Sequence, residues 1–293
     1  MSDESIWANF SESASPLVCN ASYTSQNTQS TNSDTVGPGA PSSDIFASTV
    51  VVTSVVNAAS FRPGSIAPGE IVTIFGQNIG SPTRTALRVE PTGLIATNLA
   101  DTRVTFDGVL APLIHVRNDQ LVAVVPYSLA GKAATELQVD YKGSQSLPFH
   151  LDVAGSAPGI FTSGTTDSGQ AAALNQDHTV NSPFNPARAG SVVALFATGE
   201  GETDPGGVDG QAGKAPLPKP RLPVTVRIAG RVAEVLYAGA APDLVAGIIQ
   251  VNVRVPDGIS TSNPPVVITV GGVDSQAGVT ISVNAPAPSP ENP

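Results

Sequence analysis

Two stretches decide the fold: "APGEIVTIFGQNIG" (Ala67 to Gly80) and "RAGSVVALFATGEG" (Arg188 to Gly201). Each sets a turn glycine before alternating apolar positions (Val72 and Ile74; Val193 and Leu195), then a phenylalanine, then a glycine-rich exit. Alternation of period two is the signature of a strand with one face in a core. Working outward, "VTFDGVLAPLIHV" (Val104 to Val116) aligns with "VRIAGRVAEVLYA" (Val226 to Ala238), and "LVAVVP" (Leu121 to Pro126) with "VNVRVP" (Val251 to Pro256). "LQVDYKGSQSLPFHLDV" (Leu137 to Val153) aligns with "ITVGGVDSQAGVTISV" (Ile268 to Val283). A β-unit is therefore written twice in one chain. Asp107-Gly108 and its counterpart Ala229-Gly230 are two-residue corners between strands, where both residues must accept positive φ.

Each copy holds six or seven short strands separated by turn signals, the spacing of an immunoglobulin-like sandwich and not of βαβ units. The predicted fold class is all-β: two tandem immunoglobulin-like β-sandwiches joined by a partly structured connector containing a short hairpin. The expected organisation is a polar N-terminal segment (1–48), read as disordered because it has too few apolar groups to offset ordering entropy, then sandwich 1 (49–154), a connector (155–188), sandwich 2 (189–284) and a Pro-rich tail (285–293). The hairpin is placed in "AAALNQDHTVN", with its turn at Asn175 to His178, and Ile160, Phe161 and Phe184 are expected to dock the connector onto the sandwiches. "SLAGKAATELQ" comes nearest to a helical pattern, and Gly131 interrupts it.

Composition agrees with many turns and excludes several functions. The 293 residues include 26 prolines and 28 glycines, a density that helix interiors do not tolerate. With 14 basic against 24 acidic side chains and a net charge of −10, the chain lacks the basic surface that nucleic acid or an anionic membrane requires. The one cysteine, Cys19, excludes an intrachain disulfide framework and a multi-cysteine zinc site. No apolar run reaches the ~18 residues of a membrane-spanning helix, and the first residues show neither a basic n-region nor an apolar h-region.

"VVNAASFRPGSIAPGEIVTIFGQNIG", "APGIFT", "GQAAALNQDHTVNSPFNPARAGSVVALFATGEGETDPGGVDGQ" and "PVTVRIAGRVAEVLYAGAAPDLVAGIIQVNVRVP" resemble an uncharacterised C-terminal domain of secreted Acidobacteria proteins, notably from Solibacter. The segment Pro68 to Gly80 also resembles the strand-opening motif of IPT/TIG-type immunoglobulin-like domains. The resemblance runs from about Val52 to Val283. It implies an extracellular or cell-surface setting at the C-terminus of larger β-rich proteins, and it carries over no catalytic residue.

Candidate chemistry is sparse. The loop "GEGETDPGGVDG" (Gly199 to Gly210) places Glu200, Glu202, Asp204 and Asp209 as hard oxygen donors suited to Ca²⁺. Its spacing matches neither an EF-hand nor a repeat-type calcium loop, so a solvated acidic loop is the preferred reading and calcium the alternative. His115 and His150 fall in strand patterns and His178 in a turn. No serine sits in a nucleophile elbow, and Asp101, Asp107, Asp140 and Asp152 offer no pair set apart as acid and base. Tyr127, Tyr141 and Tyr237 are dispersed and read as structural, which disfavours a sugar-binding platform. The expected function is a non-catalytic extracellular or cell-surface module without cofactor, acting as spacer, adhesion or protein-interaction domain. The alternative is a carbohydrate- or Ca²⁺-binding accessory module. The expected partner is a protein or a cell-surface or matrix component, with self-association through edge strands also expected, and neither nucleic-acid binding nor membrane insertion.

Overall fold

The computed structural model describes residues 49–164 and 166–284. The predicted polar segment, with Cys19, and the Pro-rich tail lie outside them. The described residues form 23 strands and one 3-10 turn, Tyr127–Leu129, and no helix among them is long and apolar enough to cross a membrane. The fold is all-β, as the sequence predicts, with its strands gathered into two sandwiches.

In the first sandwich one sheet runs in the order Val51–Asn57, Ile71–Gln77, Gln120–Val124, Leu113–Val116, Thr85–Ala86. The facing sheet runs Phe149–Asp152, Ala134–Tyr141, Thr102–Phe106, Val109–Leu110. All pairings within the two sheets are antiparallel. Val72, Ile74, Leu121 and Ala123 from the first sheet meet Val104, Phe106, Leu137 and Val139 from the second in one core. The Asp107-Gly108 corner takes φ of 49° and 81°, the left-handed pair that this two-residue hairpin needs. The region of "SLAGKAATELQ" divides into the 3-10 turn and the strand Ala134–Tyr141, in which Thr135 and Leu137 share the buried face with Val139 beyond them while Glu136 points the other way.

The second sandwich repeats the plan. Val192–Thr198, Ile249–Arg254 and Val235–Ala240 form one sheet, and Arg231–Ala233, Val224–Ile228, Val266–Val270 and Val273–Asp274 the other. Their shared core contains Val193, Leu195, Val226, Ile228, Val251 and Ile268. Residues 155–188, expected as a connector, hydrogen-bond into this sandwich. Gly159–Ile160 and Ala173–Asn175 both pair antiparallel with Val192–Thr198, and Gly169–Gln170 pairs with Val279–Thr280. The physical reason is edge satisfaction: in the first sandwich Val51–Asn57 covers Ile71–Gln77, and the duplicated strand needs the same partner.

Ile160 and Phe161 are buried. Phe184 is not: its side chain is 99% exposed, against the expectation that it docks. The chain around it is tied down by polar groups instead. Ser182 and Asn185 exchange backbone hydrogen bonds, and Asn181, one residue before that turn, donates to Ser282 O at 2.8 Å. The turn is therefore fixed with the ring on its outer side.

The two sandwiches meet through one sheet of each. Along Gln120–Val124, Leu121 and Ala123 enter the first core while Val122 and Val124 enter a separate cluster with Ile71, Ala58 and Ile114. Along Val192–Thr198, Val193, Leu195 and Ala197 face the second core, while Phe196 and Ala194 face that same cluster, joined by Phe161, Ala172, Leu174, Ala241 and Ile248. Strands buried on both faces lose the polar half of the alternation and read as continuous apolar runs. "LVAVV" and "VVALFA" are such runs.

Candidate functional site

Polar side chains of low exposure collect at the rim of this junction, and they are its chemically distinctive groups. Tyr127 stands in the 3-10 turn that follows Pro126, at the end of the doubly buried strand. Its backbone N–H donates to Asp209 Oδ1 at 2.9 Å and its hydroxyl donates to Glu200 Oε1 at 3.3 Å. The ring lies between Gly69 of the first sandwich and Gly207 of the second, and a Cβ on either glycine would overlap it. These two glycines are fixed by close approach and, at Gly69, by a φ of 76°.

The predicted Ca²⁺ donors take separate places. Glu200 is 2% exposed. Burial raises its carboxyl from the ordinary 4.5 to about 7, against the lowering effect of its hydrogen bonds, and its Oε2 has no hydrogen-bond partner. Glu202 pairs with Arg221 at 3.0 Å. Asp204 is the exposed residue of the strand Thr203–Asp204, and Asp209 holds the Tyr127 amide. The loop thus brings Glu200 and Asp209 together on Tyr127 and directs Glu202 elsewhere. Among the described residues no group of three or more His, Cys, Asp or Glu side chains could hold a metal ion.

Glu70, which opens the strand Ile71–Gln77, is a site residue that the sequence reading did not single out. It is 1% exposed. Its Oε1 accepts from Asn57 Nδ2 at 2.9 Å and its Oε2 from the Ala67 N–H at 2.7 Å. Burial is the largest influence and lifts its carboxyl to about 8, with the hydrogen bonds opposing and the Glu200 charge adding to the rise. In "APGEIV" it looks like an ordinary exposed residue before a strand. The one available signal is that it is the sole charge between an apolar turn and a run buried on both faces.

Asn57 also donates to Ala157 O at 3.0 Å, and Thr198 Oγ1 accepts from the Ile71 N–H at 2.8 Å. Gln276 accepts from the Ile160 N–H at 2.9 Å and donates to Ile160 O at 2.7 Å and Ala59 O at 3.4 Å. The bonds to Ala157 O, Ile71 N–H and Ala59 O tie the two sandwiches together, while the Gln276–Ile160 pair holds Gln276 in place within the second. Beside them opens a small pocket of about 160 Å³ lined by residues of both sandwiches, among them Val55, Asn57, Glu70, Pro158 and Gln276.

The histidines stay apart from the junction's carboxyls. His115 is 1% exposed, with neither ring nitrogen hydrogen-bonded, and burial with the nearby Arg84 and Arg117 charges lowers it to about 4. His150 is exposed on Phe149–Asp152, its Nδ1 2.9 Å from Glu136 Oε1, which raises its pKa. His178 occupies the exposed hairpin turn with φ of 65°. What the junction can do chemically is hold buried carboxyls whose proton affinity is raised, and join the two sandwiches.

Residues 51–151 match the IPT/TIG domain model. No curated protein matches the chain. Among solved structures, the chain is similar to a Bacteroides ovatus mixed-linkage glucan utilisation locus protein, SGBP-B, in complex with a mixed-linkage heptasaccharide, at 9% identity and a TM-score of 0.33, over 82% of this chain and 48% of that one. It spans about half the length of that structure. It is also similar to domains 5–6 of the S-layer protein SbsC, at 12% identity, 82% and 100% coverage and a TM-score of 0.25. The titin I9–I11 tandem is a further likeness, at 10% identity, 81% and 67% coverage and a TM-score of 0.22. The first sandwich thus matches the IPT/TIG domain along nearly its whole length, and the chain is a tandem of immunoglobulin-like sandwiches.

Proposed function

We propose that the chain is a non-catalytic module of the cell surface or extracellular space, a rigid two-sandwich spacer that presents loops to a protein partner. The observation that carries this reading is the junction: an apolar cluster drawn from both sandwiches, closed at its rim by side-chain bonds from Tyr127, Asn57 and Gln276 to the opposite sandwich. Domains joined only by a linker move independently. A shared buried cluster closed at its rim by hydrogen bonds fixes their relative orientation instead. The extracellular setting follows from the resemblance to C-terminal domains of secreted proteins noted above.

The test is a distance measurement between spin labels at two exposed sites, Lys142 in the first sandwich and Arg231 in the second. A rigid module gives one narrow distance distribution that added denaturant broadens only on unfolding. A broad distribution in native buffer would overturn the reading.

A further inference from the structure

Two features on the surface of this one chain fit each other. The first is Phe184, 99% exposed, on a turn closed by the paired backbone bonds of Ser182 and Asn185. Asn185 Nδ2 also donates to Thr179 Oγ1 at 2.7 Å and Val180 O at 3.0 Å, and Asn175 Nδ2 donates to Asn185 O at 2.9 Å. The ring is therefore held out on a preorganised support, next to the exposed Val180. A stacking platform for a sugar lies against the protein with one face covered. Here both faces of the ring are bare, the form of a knob that a socket encloses.

The second feature is the pocket at the junction, about 160 Å³. A cavity of roughly 150 Å³ with apolar walls accepts a benzene molecule. The apolar lining comes from Val55, Val56, Pro63, Ile66, Pro158 and Val273. Of the polar side chains in its wall, Asn57, Glu70, Asp274 and Gln276 already bond within the protein, so an entering ring strands none of these four. Arg62, also in the lining, is half exposed and ion-paired with Asp167 at 3.8 Å, and a paired guanidinium still stacks on an aromatic face.

We propose that the chain associates head to tail with copies of itself, the Phe184 ring of one copy seating in the junction pocket of the next. Knob and socket are different surfaces, so the contact is heterologous and leaves a free knob and a free socket at the ends of every assembly. A contact of this size is weak in dilute solution. It gains from any arrangement that holds many copies at high local concentration. The inference rests on the reading of the chain as an interaction module and names its partner as a second copy.

Sedimentation velocity of the full chain over rising concentration tests it, with F184S lacking the knob and V273W, at an exposed pocket residue, closing the socket. The wild type should show a weight-average sedimentation coefficient that climbs with concentration, while each variant alone stays at the monomer value. An equimolar mixture of the two should form a one-to-one pair and nothing larger, because only the V273W knob and the F184S socket remain. That pairing also shows that both variants are folded. A wild type that stays monomeric throughout, a single variant that still associates, or a mixture that does not pair would each overturn the proposal. The spin-label distance measured on monomeric F184S reports on rigidity by itself, so loss of self-association and loss of the rigid-module reading are separate results.

Discussion

The Tyr127 hydroxyl of the first sandwich donates to Glu200 Oε1 of the second across 3.3 Å, and the carboxyl's other oxygen, Oε2, is buried without a hydrogen-bond partner. Because Glu200 is buried and only partly satisfied, removing its donor leaves a polar group without compensation at the centre of the rim. An unsatisfied buried group costs about 1–3 kcal/mol. Y127F should therefore destabilise the chain by about that amount in urea denaturation, although the phenyl ring still fills the same space. Y127F/E200M, which removes both polar partners, should recover most of the loss.

The same ring sets a steric test. A Cβ at Gly207 would overlap the Tyr127 ring, and overpacking of a fixed contact costs typically ~1–3 kcal/mol. G207A should lower stability in the presence of Tyr127 and be nearly neutral in a Y127A background. A double-mutant cycle reads this coupling directly. Equal effects of G207A in the two backgrounds would place the cost of the substitution elsewhere.

Much of this arrangement could be read from the residues, and the unread part has a common cause. The duplicated strands, the Asp107-Gly108 and Ala229-Gly230 corners and the all-β class follow from local chemistry: alternation, turn residues and proline stops. Glu70, Glu200 and Gln276 owe their burial to a surface of the other sandwich. Nothing within a few residues of them distinguishes a carboxylate in water from one beneath a neighbouring domain. The runs "LVAVV" and "VVALFA" did carry that information, since a strand with no polar face is covered on both sides. Phe184 shows the reverse error. An isolated phenylalanine between prolines suggests docking, yet the hydrogen bonds of Asn181 and Asn185 settle the turn without using the ring.

Glu70 makes stability depend on pH in a definite direction. Its carboxyl sits at about 8 in the folded chain against the ordinary 4.5, so folding favours the protonated form. Below about pH 4.5 both states carry the proton and its contribution is complete. As pH rises through 4.5 and on to 8, the unfolded chain releases a proton that the folded chain keeps, and stability declines. Glu200, raised to about 7, adds a slope of the same sign. E70Q should flatten the decline in denaturation midpoint between about pH 5 and about pH 9. An unchanged slope would show that Glu70 ionises freely in the fold.

His115 acts in the opposite sense. It is buried with both ring nitrogens unpaired, and burial, aided by the Arg84 and Arg117 charges, lowers it to about 4 from 6.5. Folding therefore favours the neutral ring. Its contribution is complete above 6.5 and is lost as pH falls toward 4, because the unfolded chain takes up a proton that the folded one refuses. Replacing the imidazole by an apolar side chain removes two buried polar atoms that bond to nothing, a change that is neutral to stabilising by about 1–3 kcal/mol. H115L should raise the denaturation midpoint at neutral pH and raise it further at about pH 4. H115L should remove the part of the acid-side loss that falls between 6.5 and about 4, while the lowered Asp107 and Asp177 carboxyls keep a separate loss at more acid pH and Glu70 and Glu200 keep the fall toward alkaline pH. Denaturation curves of H115L and H115L/E70Q across that range separate the two contributions. If H115L keeps the acid-side loss, the group that titrates there is not His115.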